Sequence, residues 1–273
     1  MKDKISLAGD LGSGKSTVSK IIIDRLGAEY YSTGAIVRAV AERRGMSVAD
    51  LNVYMEMHPE IDKEIDDGLV ALSEDARPLI IDSRMAWHFT KGTFKVYLSA
   101  DAEVAALRIM NAGRTGESTG SLAQQVSETK RRRASEQKRY REKYGVDIQD
   151  FANYDLVVDT TYATPEEISA CILAAFRLKN EGQAFAHALL CPERLSYVDD
   201  AVDADQIRIL SMKLEVGQTV PDVLVAEKDG EYYVKSGLPS ALAYAFNMNS
   251  LIPAVLVPYE EDGKEYVKMK NSF

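Results

Sequence analysis

Residues Gly9-Asp10-Leu11-Gly12-Ser13-Gly14-Lys15-Ser16 match GxxxxGK[ST], and few eight-residue patterns narrow a fold so far. The short apolar run Ile5–Ala8 precedes it and an amphipathic stretch, Lys15–Leu26, follows, so the segment reads as strand, glycine turn and helix. A strand that feeds a helix in this way belongs to a parallel sheet built of βα units. The glycines let the backbone curl so that consecutive N–H groups point inward at phosphate oxygens, and the first helical turn adds its positive end. The motif therefore assigns a nucleoside triphosphate to Gly9, Gly12, Ser13, Gly14, Lys15, Ser16 and Thr17. Lys15 would bridge the β- and γ-phosphates and the Ser16 hydroxyl would ligate Mg2+. A nucleoside triphosphate and Mg2+ are the expected ligands; the alternative, a glycine-rich turn with a chance Lys-Ser, would hold neither.

The βα pattern continues to about Lys179. Strands are expected at Ile5–Ala8, Leu79–Ile81, Val96–Leu98 and Leu156–Val158, with a weaker one near Glu29–Tyr31. Helices are expected at Lys15–Leu26, Gly34–Arg44, a short stretch after Ser47, Pro59–Leu72, Asp101–Met110, Leu122–Lys143 and Pro165–Lys179. Ser47 reaching Asp50, Asp101 before an Ala-rich stretch, and Thr164-Pro165 are start signals. Beyond Asn180-Glu181-Gly182 the pattern changes. A short helix at Gln183–Leu190 is expected, then strands at Arg208–Leu214, Val223–Glu227, Tyr232–Lys235 and Ala254–Val257. Lys228-Asp229-Gly230 reads as a hairpin turn and Pro239–Asn247 as a helix.

At 273 residues, 46% hydrophobic and 27% charged, the chain is neither disordered nor fibrous and has length for two domains. An α/β unit at 1–180, a linker at 181–192 and a small α+β unit at 193–273 are expected. The net charge of −9, distributed as −2 over residues 1–180 and −7 over 181–273, argues against a nucleic-acid partner. No apolar run is long enough to span a bilayer and the chain starts without a signal h-region, so a cytoplasmic protein without a membrane partner is expected. Cys171 and Cys191 lack a metal-site or CxxC spacing, and His58, His88 and His187 are scattered; all five read as structural.

The loop alone does not separate a kinase from a GTPase or a mechanical ATPase. No Asn-Lys-x-Asp is present to read guanine, and the domain is short for a motor. Arg38, early in a helix after the second strand, suits either of two descriptions: a fork for an anionic acceptor across from the loop, or a solvated surface arginine. Between Lys130 and Lys143 eight of fourteen residues are Lys or Arg. Such runs are commonly solvated faces, but Arg132 and Arg139, seven residues apart, share one helical face.

With these residues in hand, the sequence resembles nucleoside monophosphate kinases, and most closely the cytidylate kinase family in its archaeal-type, cytidylate-kinase-like branch. The resemblance rests on the P-loop, on Ser32, Gly34 and Arg38, on Arg44-Gly45-Met46-Ser47 and on His58-Pro59-Glu60-Ile61-Asp62. It continues through Asp82-Ser83-Arg84, Ser135-Glu136 with Arg139-Tyr140, Tyr144-Gly145-Val146-Asp147-Ile148 and Tyr154-Asp155-Leu156-Val157-Val158-Asp159, in family order over residues 4–179. It implies a P-loop NTPase fold: a five-stranded parallel sheet flanked by helices, with a helical lid. It implies ATP-dependent phosphoryl transfer to CMP or dCMP, with Arg38 and Arg84 on the acceptor phosphate and Ser32 and Gly34 shaping the acceptor pocket. Arg132 and Arg139 match the arginines of the family's lid helix, and Gly113–Gly120 would be its hinge. Asp82 is a candidate to hold Mg2+ through water, or else a cap on the next segment. The family pattern usually has Gly where this chain has Ser83, a position at which a side chain could crowd the approach of the acceptor phosphate. Two further readings are a kinase for another small metabolite and a non-catalytic ATP-binding regulator.

Residues 205–258 resemble ParB-like N-terminal domains in their strand, glycine turn, helix and Ile-Pro strand. Leu238-Pro239-Ser240 stands where that family carries basic residues, so a degenerate, non-catalytic module for dimerisation, protein contacts or regulation is expected, or simply a β-rich appendage.

Overall fold

The structure is a computed structural model and describes residues 3–46, 48–112, 120–199 and 202–269. Its centre is strand β1 (Lys4–Gly9), which leads through the P-loop into helix α1 (Lys15–Leu26) and back to β2 (Glu29–Ser32). Helices α2 (Thr33–Arg43), α3 (Val48–Met57) and α4 (Pro59–Ala71) then precede β3 (Leu79–Asp82). A short α5 (Ala86–Phe89), β4 (Phe94–Ser99), α6 (Ala102–Asn111), the long α7 (Leu122–Tyr144), β5 (Leu156–Asp159) and α8 (Pro165–Asn180) complete the α/β part. Five parallel strands lie in the order β2-β3-β1-β4-β5, with Ile5 of β1 facing Ile80 on one side and Phe94 on the other.

Helices cover both faces of this sheet, which is why its inner strands read as unbroken apolar runs. Alternate residues serve alternate faces. Ile5, Leu7, Val96, Leu98 and Leu156, none of them exposed, pack on Val18 and Ile22 of α1 and Ile168 and Ile172 of α8. Ile81, Tyr97 and Val157 face the other way, towards Trp87, Phe151 and Tyr154. Edge strand β2 carries exposed Glu29 and Tyr30, hence its weak sequence signal. The expected start signals are realised at α6, where Asp101 accepts the Glu103 and Val104 N–H groups, and at α8, where Thr164 and Glu167 form a reciprocal capping box. Ser47 and most of the expected Gly113–Gly120 hinge lie outside the described residues.

The sheet does not stop at β5. Expected as helix, Gln183–Leu190 instead supplies β6 (Ala188–Leu190), parallel to β5. Ala188 and Leu190 are fully buried, and an apolar strand beside an open sheet edge gains both hydrogen bonds and burial that an exposed helix would not. The segment expected as a linker thus contains a strand. A 3-10 turn at Pro192–Arg194 leads to β7 (Leu195–Tyr197) and α9 (Ala204–Glu215). Arg208–Leu214, expected as a strand, lies within α9: Asp203 caps the helix by accepting the Asp205 N–H, and Leu210 and Ser211 are buried. Packing against α10 (Leu238–Phe246) favours the helical period over the apparent alternation. The remaining strands are β8 (Leu224–Lys228), β9 (Glu231–Ser236), β10 (Ile252–Val257) and β11 (Val267–Lys268). The β8–β9 turn has Asp229 and Gly230 at φ 54° and 85°, the type I′ pattern. Because β10 pairs with β6, the described strands form one eleven-stranded sheet, β11-β7-β9-β8-β10-β6-β5-β4-β1-β3-β2.

Candidate active site

Open α/β sheets bind ligands beyond the carboxyl ends of their strands, and a cleft of about 2150 Å³ lies there. It gathers Gly12, Ser13, Gly14, Lys15, Ser16 and Thr17 from the loop, Ser32, Gly34 and Arg38 from the start of α2, Asp82 and Arg84 after β3, and Arg132 and Arg139 from α7. Of the residues singled out from sequence, Gly9 alone does not line it. Gly9 sits at φ 141° beneath the loop, where a Cβ would fall 2.2 Å from the Leu98 carbonyl oxygen; a Cβ at Gly12, φ 76°, would fall 2.4 Å from that of Ala105. Both glycines are thus required by close backbone approach, which brings β4 and α6 against the loop.

Lys15 folds back over the loop and donates to the carbonyl oxygens of Gly9 (2.9 Å) and Asp10 (2.7 Å). Burial, aided by the nearby Arg84 cation, lowers its ammonium to about 8. Ser16 and Thr17 follow in the first turn of α1. The Ser16 hydroxyl and the Asp82 carboxylate are hard oxygen donors of the kind Mg2+ takes. Asp82 accepts from the Tyr30 hydroxyl (2.9 Å), and burial together with that carboxylate pushes Tyr30 up to about 12.

Across the cleft, Ser32 caps α2 by accepting the Ala35 N–H (3.3 Å). A side chain at Gly34 would reach to 3.4 Å of the Arg38 guanidinium. Arg38 is exposed on α2. Arg84 is half-buried, its Nε 2.5 Å from Glu136 of α7. The other oxygen of Glu136 takes the Arg132 Nε at 3.2 Å, so one carboxylate spans two guanidiniums from different elements. Arg139 lies over the Tyr140 ring, 5.1 Å from its centroid. Ser83 is 5% exposed, and its hydroxyl accepts the Met85 N–H at 3.3 Å, so the turn uses the side chain that departs from the family pattern.

Two participants escaped the sequence reading. Glu136 was visible only as a letter beside Arg139, since its partner Arg84 is remote in the chain. Arg108, on α6, reaches the Thr160 carbonyl at 2.7 Å and that of Gly12 at 3.5 Å, closing the cleft beside the loop; a lone arginine on an Ala-rich helix gave no signal. Among the described residues no cluster of His, Cys, Asp and Glu forms a multi-ligand metal site, and no helix is long and apolar enough to cross a membrane.

The cytidylate kinase-like family matches residues 4–162. A cytidylate kinase of Thermoplasma volcanium is 38% identical over 174 residues, 62% of this chain and 89% of that protein. One of Pyrococcus horikoshii is 35% identical over 177 residues, 64% and 89% of the two chains. An S-adenosylmethionine-dependent nucleotide dehydratase of Lacinutrix mariniflava is 36% identical over 181 residues, 66% of this chain but 37% of that longer protein. The matched segment carries the P-loop, Arg38, Arg84 and the basic helix on one uninterrupted parallel sheet, and with more than half of its length matched the chain belongs to the cytidylate kinase-like family.

Proposed function

We propose that the chain transfers the γ-phosphoryl group of ATP to the phosphate of CMP or dCMP, with Mg2+ as cofactor. The relatives named cytidylate kinase support this acceptor and do not favour the other-metabolite or regulator readings. The observation that carries the reading is the junction at Glu136, which ties Arg84 on the acceptor side to Arg132 on the basic helix within the P-loop cleft. Two guanidiniums that share one carboxylate are only partly neutralised, and the positive charge left over is available to a more highly charged phosphate.

In this reading Gly12, Ser13, Gly14 and Thr17 cradle the ATP phosphates and Lys15 exchanges its two carbonyl partners for the β- and γ-phosphates. Ser16 and Asp82 would hold Mg2+, which neutralises phosphate charge when bound. Arg38 and Arg84 fork onto the acceptor phosphate beside Ser32 and Gly34. Arg132 and Arg139 stabilise the charge of the transferring group, where arginines contribute on the order of 10³–10⁵ in rate. The acceptor oxygen is already anionic, so no general base is needed; positioning and charge stabilisation do the work. Residues 193–273 form an accessory α+β unit for contacts with a second copy of the chain or another protein, and the cytoplasm is the expected compartment.

ADP release from Mg·ATP, followed with CMP, dCMP, UMP, AMP, GMP and no acceptor, tests the reading. Strong stimulation by CMP or dCMP, abolished by Lys15→Ala, is expected; equal rates with and without every acceptor would refute it.

A further inference from the structure

The face of α7 turned away from the cleft carries a second arginine arrangement that the proposed chemistry does not use. Arg133 does not line the cleft that Arg132 and Arg139 line; its guanidinium lies 3.3 Å from the Asp10 carboxylate. Asp10 is the first loop residue after Gly9, and its side chain is held from two more directions, by the Tyr97 hydroxyl (2.7 Å) and the Ala100 N–H (3.0 Å). Its own carbonyl oxygen is one of the two that receive Lys15. Whatever orients Asp10 therefore orients the entry of the phosphate loop.

The other side of Arg133 meets the β8–β9 hairpin. A Cβ on Gly230 would come within 3.9 Å of its guanidinium. The Glu227 carboxylate, fixed by accepting the Gly230 N–H at 2.6 Å, adds a second negative charge close enough to attract the guanidinium electrostatically. Burial opposes the Arg133 charge, but the carboxylates of Asp10 and Glu227 outweigh it and hold the guanidinium protonated. The hairpin itself is seated on the ends of the parallel strands. Tyr232, 1% exposed, donates to Ser99 at the end of β4 (2.8 Å), and Arg194 bridges the Gly230 carbonyl (2.5 Å) and Asp101 at the start of α6 (3.2 Å). This seat is too well partnered to swing freely.

We propose that Arg133 is a positioning residue through which the β8–β9 hairpin sets the P-loop, by a carboxylate–guanidinium–carboxylate ladder Glu227–Arg133–Asp10. The accessory unit is then part of the machinery that prepares the donor site. The inference rests on the reading that the P-loop holds the ATP phosphates.

The full-length chain tests it by calorimetric binding of Mg·ADP alongside turnover and thermal melting. A charge-assisted contact of this kind is commonly worth about tenfold in an equilibrium constant. Arg133→Gln is expected to weaken Mg·ADP about tenfold, by that measure, with the KM for CMP changed less than about twofold. Arg133→Lys, which keeps a cation opposite Asp10, should recover most of the loss. Glu227→Gln should weaken Mg·ADP about threefold alone and add nothing in the Arg133→Gln background, as members of one ladder do. Wild-type ADP affinity in Arg133→Gln, or full additivity of the two substitutions, overturns the inference. If Arg133→Gln melts below the assay temperature, wild-type affinity in folded Glu227→Gln overturns it equally. A wild-type chain that turns over no monophosphate would refute the kinase reading instead, and the ADP affinities would still judge the ladder.

Discussion

With Lys15 on the nucleotide phosphates, as proposed, nucleotide affinity should depend on pH over a range where few lysines titrate. Enclosed in the loop beside Arg84, its ammonium loses its proton at about 8, against ~10.4 for a free lysine side chain. About nine-tenths of the ligand-free protein then carries the charge at pH 7 and about one-tenth at pH 9. Bound phosphates favour the ammonium, so binding above pH 8 must draw in a proton, and the affinity for Mg·ADP should fall about tenfold from pH 7 to pH 9. Titration calorimetry in two buffers of different ionisation heat reads both quantities: the fall in affinity, and an uptake approaching one proton per nucleotide at pH 9. Lys15→Arg, charged throughout, should abolish both. The sign for the ligand-free fold is opposite. A folded pKa below the unfolded one means that the unfolded chain binds more protons between about 8 and 10.5, so this group's contribution to stability rises with pH across that window. Constant affinity and no proton uptake from pH 7 to 9 would refute the account of a desolvated lysine.

Two further outcomes follow from the same geometry. Gly9→Ala places a Cβ 2.2 Å from the Leu98 carbonyl oxygen at φ 141°, which should cost about 3 kcal/mol or more and lower the melting temperature sharply; a melt within a degree or two of wild type would contradict the stated contact. Glu136→Gln removes the charge that competes with phosphate for Arg84 and Arg132. The KM for CMP should fall several-fold while kcat drops about tenfold, because the two guanidiniums lose their common anchor; steady-state kinetics in which kcat is unchanged would show that Glu136 does not organise the pair.

How much of this was legible beforehand depends on how local each signal is. The P-loop lies within eight consecutive residues flanked by an apolar run and an amphipathic helix, so strand, turn and helix were readable together. The buried parallel strands announced themselves for the same reason, while β2, exposed at an edge, was faint. The signals failed where burial is conferred by distant partners. Ala188–Leu190 is a strand because β5 and β10 offer it hydrogen bonds on both sides, and Arg208–Leu214 is helical because α10 packs on it; neither neighbour is nearby in sequence.

The same division runs through the site. Local sequence was enough to point to the residues proposed to hold phosphate, because glycine conformational freedom, a helix N-terminus and fixed cations are properties of short segments. It did not determine what holds those residues in place. Glu136 joins Arg84 across 52 positions and Arg133 meets Asp10 across 123, and the hairpin beside them comes from the other end of the chain. Such pairings depend on how the sheet brings remote ends of strands and helices together, and a charge alone carries no record of its partner. Only the tertiary structure decided them, since charges interact by distance in space and not by separation along the chain.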